Sequence, residues 1–250
     1  MRNNTAGRSS ILLLILLMLC LNSMAQKRSK ILVFCKTAGF HHASIGSGKT
    51  AIQKLGKENG FEVDTTSDAS VFTKAKLQQY AAVVFLSTTG DVLNDAEQTA
   101  FEQYIKVGGG FVGVHAATDT EYDWPWYGNL VGAYFSAHPA QQEATLNIVD
   151  KRSIATSFLP QQWKRKDEWY NFKWMTSEPL HVLITIDESS YNPGPAKMGA
   201  NHPMSWYHNF GGGRSFYTEL GHTVESFADP LYLKHLLGGL QYAMGAKKME

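Results

Sequence analysis

Nine histidines are spread along this 250-residue chain, and three lie just beyond apolar runs that read as strands. Imidazole relays protons near neutral pH and ligates metals. His41-His42 follow the first run, His115 the fourth and His222 the last; of the adjacent pair, His42 is the candidate and His41 points elsewhere. The sharpest local feature is Gly113-Val114-His115-Ala116-Ala117. A strand, a tight turn and a helix start form the elbow that presents the nucleophile of G-x-S-x-G hydrolases beside backbone N–H groups. A histidine there can move protons or bind a metal, but it is a poorer acyl acceptor than a thiolate. His115 and His222 are therefore the expected acid–base or metal-binding groups. His42 and His138 are candidates for the binding surface. Neutral imidazoles and a carboxylate can build a catalytic zinc site with one open position. No H-x-x-x-H or H-E-x-x-H pattern occurs, so such donors must come from distant loops. A divalent metal such as zinc is one expectation; general acid–base work without a metal is the other.

These loops need a frame, and the first half of the chain supplies one. Residues 30–36 read as a buried strand, 45–59 as a helix, 61–66 as a strand, and 72–80 as a short helix. Residues 81–87 form an apolar run typical of a parallel strand covered on both faces. Asn94, with Glu97 three residues on, has the capping-box spacing for a helix through Val107; Gly108-Gly109-Gly110 ends it, and 111–114 give the next strand. Such alternation predicts an α/β fold with a doubly wound, mostly parallel sheet. Later, 143–150, 182–187 and 214–220 read as strands, 191–202 as a long loop and 230–244 as a closing helix. In open sheets of this kind ligands bind beyond the carboxyl ends of the strands, where the three histidines fall.

Residues 1–25 read as a signal peptide: Arg2 and Arg8 precede an apolar run from Ile11 to Leu21, then Ser23 and Ala25 fit a small-residue cleavage site. Eleven apolar residues are too few for a spanning helix, which needs roughly 20. The expectation is export, to the periplasm or outside, without a membrane span; a lipid on Cys20 is the rival reading, disfavoured by the bulky Leu19. About 225 residues remain, suited to one domain over 30–246. After cleavage only Cys35 is left, so no intramolecular disulfide can form. A net charge of +1 gives no reason to expect nucleic acid as a partner; a homo-oligomer is left open. Gly46-Ser47-Gly48-Lys49-Thr50 ends like a phosphate loop, but Ala43 stands where that motif needs glycine. Gly211-Gly212-Gly213 precedes a strand and reads as a turn.

The stretches Gly39-Phe40-His41-His42-Ala43-Ser44-Ile45, Gly109-Gly110-Phe111-Val112-Gly113-Val114-His115 and Asp167-Glu168-Trp169-Tyr170 resemble the trehalose-utilisation (ThuA-like) family. So do His202-Pro203-Met204-Ser205-Trp206 and the run from Gly213 to His222. That family belongs to the class I glutamine-amidotransferase-like superfamily. The resemblance runs from about Lys30 to Met244 and implies disaccharide, glycoside or oxidised-sugar metabolism with a small-molecule carbohydrate as partner. It does not imply glutamine hydrolysis, because His115 stands where that reaction needs cysteine. His222 matches the region of the superfamily's general-base histidine, while Glu225 follows at three residues rather than two, which puts its role as third triad member in doubt. The resemblance also implies a flavodoxin-like sheet, Glu168 as a supporting carboxylate and His202 as a further candidate for the binding surface. Trp124 and Trp206 are expected as sugar-stacking walls. A carbohydrate-binding module without catalysis is the competing expectation.

Overall fold

Short apolar runs buried on both faces assemble into a parallel sheet because only covering helices can shield them. In the computed structural model, which describes residues 30–250, three such runs are β1 (Lys30–Phe34), β3 (Ala82–Leu86) and β4 (Gly110–Val114). The more polar β2 (Glu62–Thr66) takes the edge. The expected leader, with Cys20 and the cleavage site, lies outside the described residues. β11 (Gly213–Thr218) pairs in parallel with β4, giving the order β2-β1-β3-β4-β11. This is the doubly wound, flavodoxin-like order. Right-handed crossovers send α1 (Ile45–Asn59) to one face, where α5 (Pro230–Ala243) packs with it. α2 (Lys74–Leu77) and α3 (Asp95–Lys106) pack together on the other.

Local chemistry sets these boundaries. α1 spans the expected residues and stops at Gly60, which adopts the left-handed conformation at φ 74°. Asn94 accepts hydrogen bonds from the Ala96 and Glu97 N–H groups while the Glu97 carboxylate accepts from the Asn94 N–H, a complete capping box. The single helix expected over 72–80 is instead a 3-10 turn (Ala69–Val71) and the one-turn α2, because Asp68 and Thr73 each cap a separate start.

The second half holds more strands than its pattern announces. β6 (Gln142–Ile148) and β9 (His181–Asp187) match expectation, whereas β5 (Ala133–Ala137), β7 (Gln162–Asp167), β8 (Asn171–Met175) and β10 (Pro203–Phe210) do not appear as apolar runs. β7 reads Gln-Trp-Lys-Arg-Lys-Asp, yet Trp163, Arg165 and Asp167 alternate inward. β10 opens on a proline, which a strand tolerates at its first residue. These strands extend the sheet antiparallel as β11-β10-β9-β6-β7, while β5 and β8 form a separate ribbon. β10 turns into β11 through Gly211 and Gly212, with φ 60° and 103°. A two-residue hairpin with both central φ values positive favours glycine at each.

Two histidines outside the candidate set are core residues. His208 sits buried in β10 with Nε2 3.0 Å from the Leu130 carbonyl. His235, on α5, is fully buried, its Nδ1 2.9 Å from the Ala155 carbonyl and its Nε2 3.2 Å from the Thr218 hydroxyl. Burial pushes the His235 pKa down to about 4. In the unfolded chain the same ring protonates near 6.5, so below that pH the unfolded state binds a proton the native state refuses. The stabilisation is complete above pH 6.5 and is lost as pH falls, by about 3 kcal/mol at pH 4. Urea midpoints measured at pH 7 and pH 4.5 should drop further for the wild type than for His235→Gln.

Candidate active site

The end of β4 sets the centre of the site. His115 has φ 50°, a left-handed conformation unusual for a side chain other than glycine, asparagine or aspartate. Such a backbone persists where surrounding structure enforces it, commonly at functional sites. Gly113 enables the elbow: a Cβ there would lie 2.9 Å from the Tyr217 ring and 3.1 Å from Ala117. Past the elbow comes only a 3-10 turn (His115–Thr118), so the longer helix start suggested by the motif is reduced to one turn. The His115 side chain is fully buried. Its Nδ1 lies 2.8 Å from the Glu219 carbonyl oxygen; a carbonyl only accepts, so Nδ1 carries the proton. Nε2 then faces the site, 3.1 Å from His222 Nδ1 and 3.5 Å from Glu168 Oε2.

The other members arrive from separate elements. His222 follows β11, and its backbone N–H and that of Gly221 both donate to the Asp167 carboxylate at 3.1 and 3.2 Å. Asp167, fully buried at the end of β7, is held in turn by Arg165 at 3.0 Å and the Ser226 hydroxyl at 2.9 Å. Glu168, in the β7–β8 connection, places Oε2 2.9 Å from His222 Nδ1 and Oε1 3.1 Å from His138 Nδ1. His42, beyond β1, sets its ring centroid 4.8 Å from that of His115 and 5.2 Å from that of His222, nearly perpendicular to both. It is 2% exposed and its Nδ1 has no hydrogen-bond partner. His41 turns outward toward the Thr37 hydroxyl, as expected.

Proximity shapes the charges. Burial, then the neighbouring His115 and His222, lower the His42 pKa to about 3, so it is neutral at physiological pH. Burial opposes charge on His115 and Glu168 as well. For Glu168 the hydrogen bonds from His115 and His222 outweigh it and hold the carboxyl well below its usual range. For His115 the carboxylates of Glu168 and Glu219 raise the imidazole well above its ordinary value. Burial pushes Glu219, behind His115, up to about 7, and its Oε2 has no hydrogen-bond partner.

His42, Glu168 and His222 open onto a pocket of about 270 Å³ whose remaining lining is Phe40, Phe135, Tyr170, His138 and Asp119. The elements thus bring together His42, His115, His138, Glu168 and His222. The other three expected site residues do not join them. Trp124 is 8% exposed, donates from Nε1 to Glu102 and stacks on Trp126. Trp206 is fully buried, donates to the Val131 carbonyl and packs 4.4 Å from the Tyr217 ring. Both indoles are buried and donate to partners away from the pocket, Trp124 to half-buried Glu102 and Trp206 to the core, so neither forms a wall of it. His202 is buried behind it, bridging the Glu188 carboxylate at 2.9 Å and the Tyr170 carbonyl at 2.7 Å, and positions Tyr170 from the rear. Glu225 is exposed at the start of a 3-10 turn, and the carboxylate paired with His222 is Glu168.

Sequence reasoning missed the supporting roles of Asp167, Glu219, Asp119, Phe135 and Gln141. A period-2 reading of β7 would have placed Arg165 and Asp167 on one inward face, a buried ion pair. Phe135 and Gln141 have no comparable local signal.

Parallel strands ordered as in flavodoxin, an elbow after β4 and a histidine beyond the last parallel strand define a doubly wound α/β domain with imidazole at the elbow. The family described as trehalose utilisation, ThuA, matches residues 30–243, and the chain belongs to that family. A ThuA-like protein from Bacteroides uniformis shares 24% identity over 88% of this chain and 93% of its own, with a TM-score of 0.73. Another from Parabacteroides merdae shares 22% over 90% and 92%, also at 0.73. A β-galactosidase from Bacillus circulans sp. alkalophilus contains the fold in 31% of its chain, covering 88% of this one at 13% identity and a TM-score of 0.56. At these identities the likenesses establish the fold. No curated protein matches the sequence.

Removing the Asp167 carboxylate takes from buried Arg165 its nearer carboxylate, leaving Asp229 at 3.4 Å, and frees the turn that carries His222. Breaking a buried pair from one side costs about 3–5 kcal/mol. Asp167→Ala should therefore lower the melting temperature by roughly 10 °C, readable by calorimetry.

Proposed function

We propose that this protein is an exported enzyme acting on a disaccharide, glycoside or keto-sugar derivative of the trehalose type. His115, His222 and Glu168 are its acid–base groups. The observation that carries this reading is the meeting of His115 Nε2, His222 Nδ1 and Glu168 Oε2 within 3.5 Å of one another beside an open pocket. An imidazole held at φ 50° in the elbow fits a catalytic use better than a packing one, since strain of that kind costs on the order of 1–3 kcal/mol.

The arrangement suggests a division of labour. His222 lines the pocket and is partly exposed, so it exchanges protons between a sugar hydroxyl or a carbon beside a carbonyl and the solvent. Glu168 stays ionised and compensates positive charge on either imidazole. His138, 3.1 Å from Glu168 Oε1, holds the other carboxylate oxygen. Cys35 offers no thiol to this chemistry: it is buried in the residue after β1, and burial raises its pKa. The pocket is smaller than the roughly 300–1,000 Å³ clefts that enclose drug-sized ligands. That size suits one sugar ring, with the rest of a disaccharide outside against Phe40, which is 66% exposed.

Incubating the purified mature protein with trehalose and with 3-keto-trehalose, with and without added divalent metals, tests the substrate class; conversion of neither removes it. His115→Ala and Glu168→Ala should lower kcat by roughly 10²–10⁴ while much of the binding remains. A carbohydrate-binding module without catalysis would instead lose affinity alone. Phe40→Ala should raise KM several-fold with kcat nearly unchanged.

A further inference from the structure

We propose that His42, His115, His222 and Glu168 form a four-coordinate site for one divalent transition-metal ion of the zinc class at the inner wall of the pocket. Their ligand atoms all lie within 4.8 Å of one another. Three of them form a triangle with edges of 3.1 Å (His115 Nε2 to His222 Nδ1), 3.5 Å (His115 Nε2 to Glu168 Oε2) and 2.9 Å (His222 Nδ1 to Glu168 Oε2). Ligands about 2.0–2.1 Å from a tetrahedral zinc ion stand about 3.3 Å apart. The triangle already has the dimensions of three corners of that tetrahedron, and His42 stands near the fourth.

Protons alone satisfy this triangle poorly. Glu168 Oε2 can accept from both imidazoles, but two N–H groups would then confront each other across the 3.1 Å edge. A single cation satisfies all three lone pairs at once. His42 supplies an independent observation: a 98% buried imidazole has Nδ1 without any partner, a costly state for a polar atom. The outer contacts agree. A metal-ligating histidine usually donates its second ring N–H to a carbonyl or carboxylate. His115 Nδ1 does so to the Glu219 carbonyl, with the Glu219 carboxylate 3.6 Å away. Before the ion binds, the Gln141 amide nitrogen, 2.7 Å away, donates to His222 Nε2, which leaves the ring's proton on Nδ1; ligation through Nδ1 moves that proton to Nε2, with the Gln141 amide turned to present its oxygen as acceptor. Three imidazoles and one carboxylate select a transition metal over magnesium or calcium, which favour all-oxygen sets. His42, Glu168 and His222 also line the pocket, so an ion among them lies within reach of a sugar oxygen.

This site deepens the function proposed above but is read without any sugar. Tag-free mature protein is stripped with chelator, incubated separately with Zn²⁺, Co²⁺, Mn²⁺ and Ni²⁺, desalted, and its metal measured by mass spectrometry; the Co²⁺ form is also scanned for visible d–d absorption. The expected result is about one equivalent of at least one ion per chain, with tetrahedral-type Co²⁺ bands. His115→Ala, Glu168→Gln and the partly exposed His222→Ala, each checked for folding by circular dichroism, should weaken binding at least tenfold. Wild-type protein retaining less than about a tenth of an equivalent of every ion, or folded variants retaining as much as wild type, would overturn the site. A bound ion without sugar turnover removes the functional reading and leaves the site; turnover with no bound ion does the reverse.

Discussion

A fully buried imidazole needs both nitrogens provided for, because an unpaired polar group away from water costs about 1–3 kcal/mol. At His115 the Glu219 carbonyl takes the Nδ1 proton, and this one hydrogen bond aims Nε2 at His222 and Glu168. The carbonyl can stand there because β11 pairs with β4 in parallel register, Thr218 opposite Val114, so that both strands release their chains at the same level. The left-handed backbone at His115 is the conformational cost of turning the ring into that position.

The remaining contacts hold what this bond orients. Asp167 gathers the two N–H groups of the Gly221-His222 turn, Arg165 and Ser226 around one buried carboxylate. Its neighbour Glu168 reaches the three histidines His115, His138 and His222. Two adjacent acidic residues therefore do different work: Asp167 fixes backbone and Glu168 meets the reactive rings. His202 plays a comparable rear role toward Tyr170. The β5–β8 ribbon and its flanks, an excursion from the doubly wound core, bring Phe135, His138, Glu168 and Tyr170 to the pocket.

Substituting imidazole at the elbow alters the chemistry more than the scaffold. Gly113 still permits close packing of the strand on the following turn, yet the turn is too short for a helix start. Under the function and site proposed above, an oxyanion held by helix N–H groups gives way to proton movement and charge compensation among side chains, or to an ion seated between them. Both uses require the carboxylate of Glu168, which the β7–β8 connection supplies instead of the position after His222.

Much of the frame was legible in the chain because local physics dictates it. Apolar runs buried on both faces placed β1, β3 and β4, and the Asn94–Glu97 spacing set the start of α3. The placement of His42, His115 and His222 beyond strand ends was enough to expect a shared pocket. Alternation of charged residues with Trp163 concealed β7, and a mixture of polar and aromatic residues after a proline concealed β10, since the burial of both is defined by partners distant in sequence. Trp124, Trp206 and His202 have the residue types of a binding wall, and only packing shows that their polar atoms are satisfied by protein partners away from the pocket. Glu168 became the carboxylate of the site, rather than a solvated loop residue, when antiparallel pairing of β6 with β7 closed it over the rings. Residue type and spacing determined which groups could react; strand register and burial, set by contacts across the whole chain, determined which of them meet.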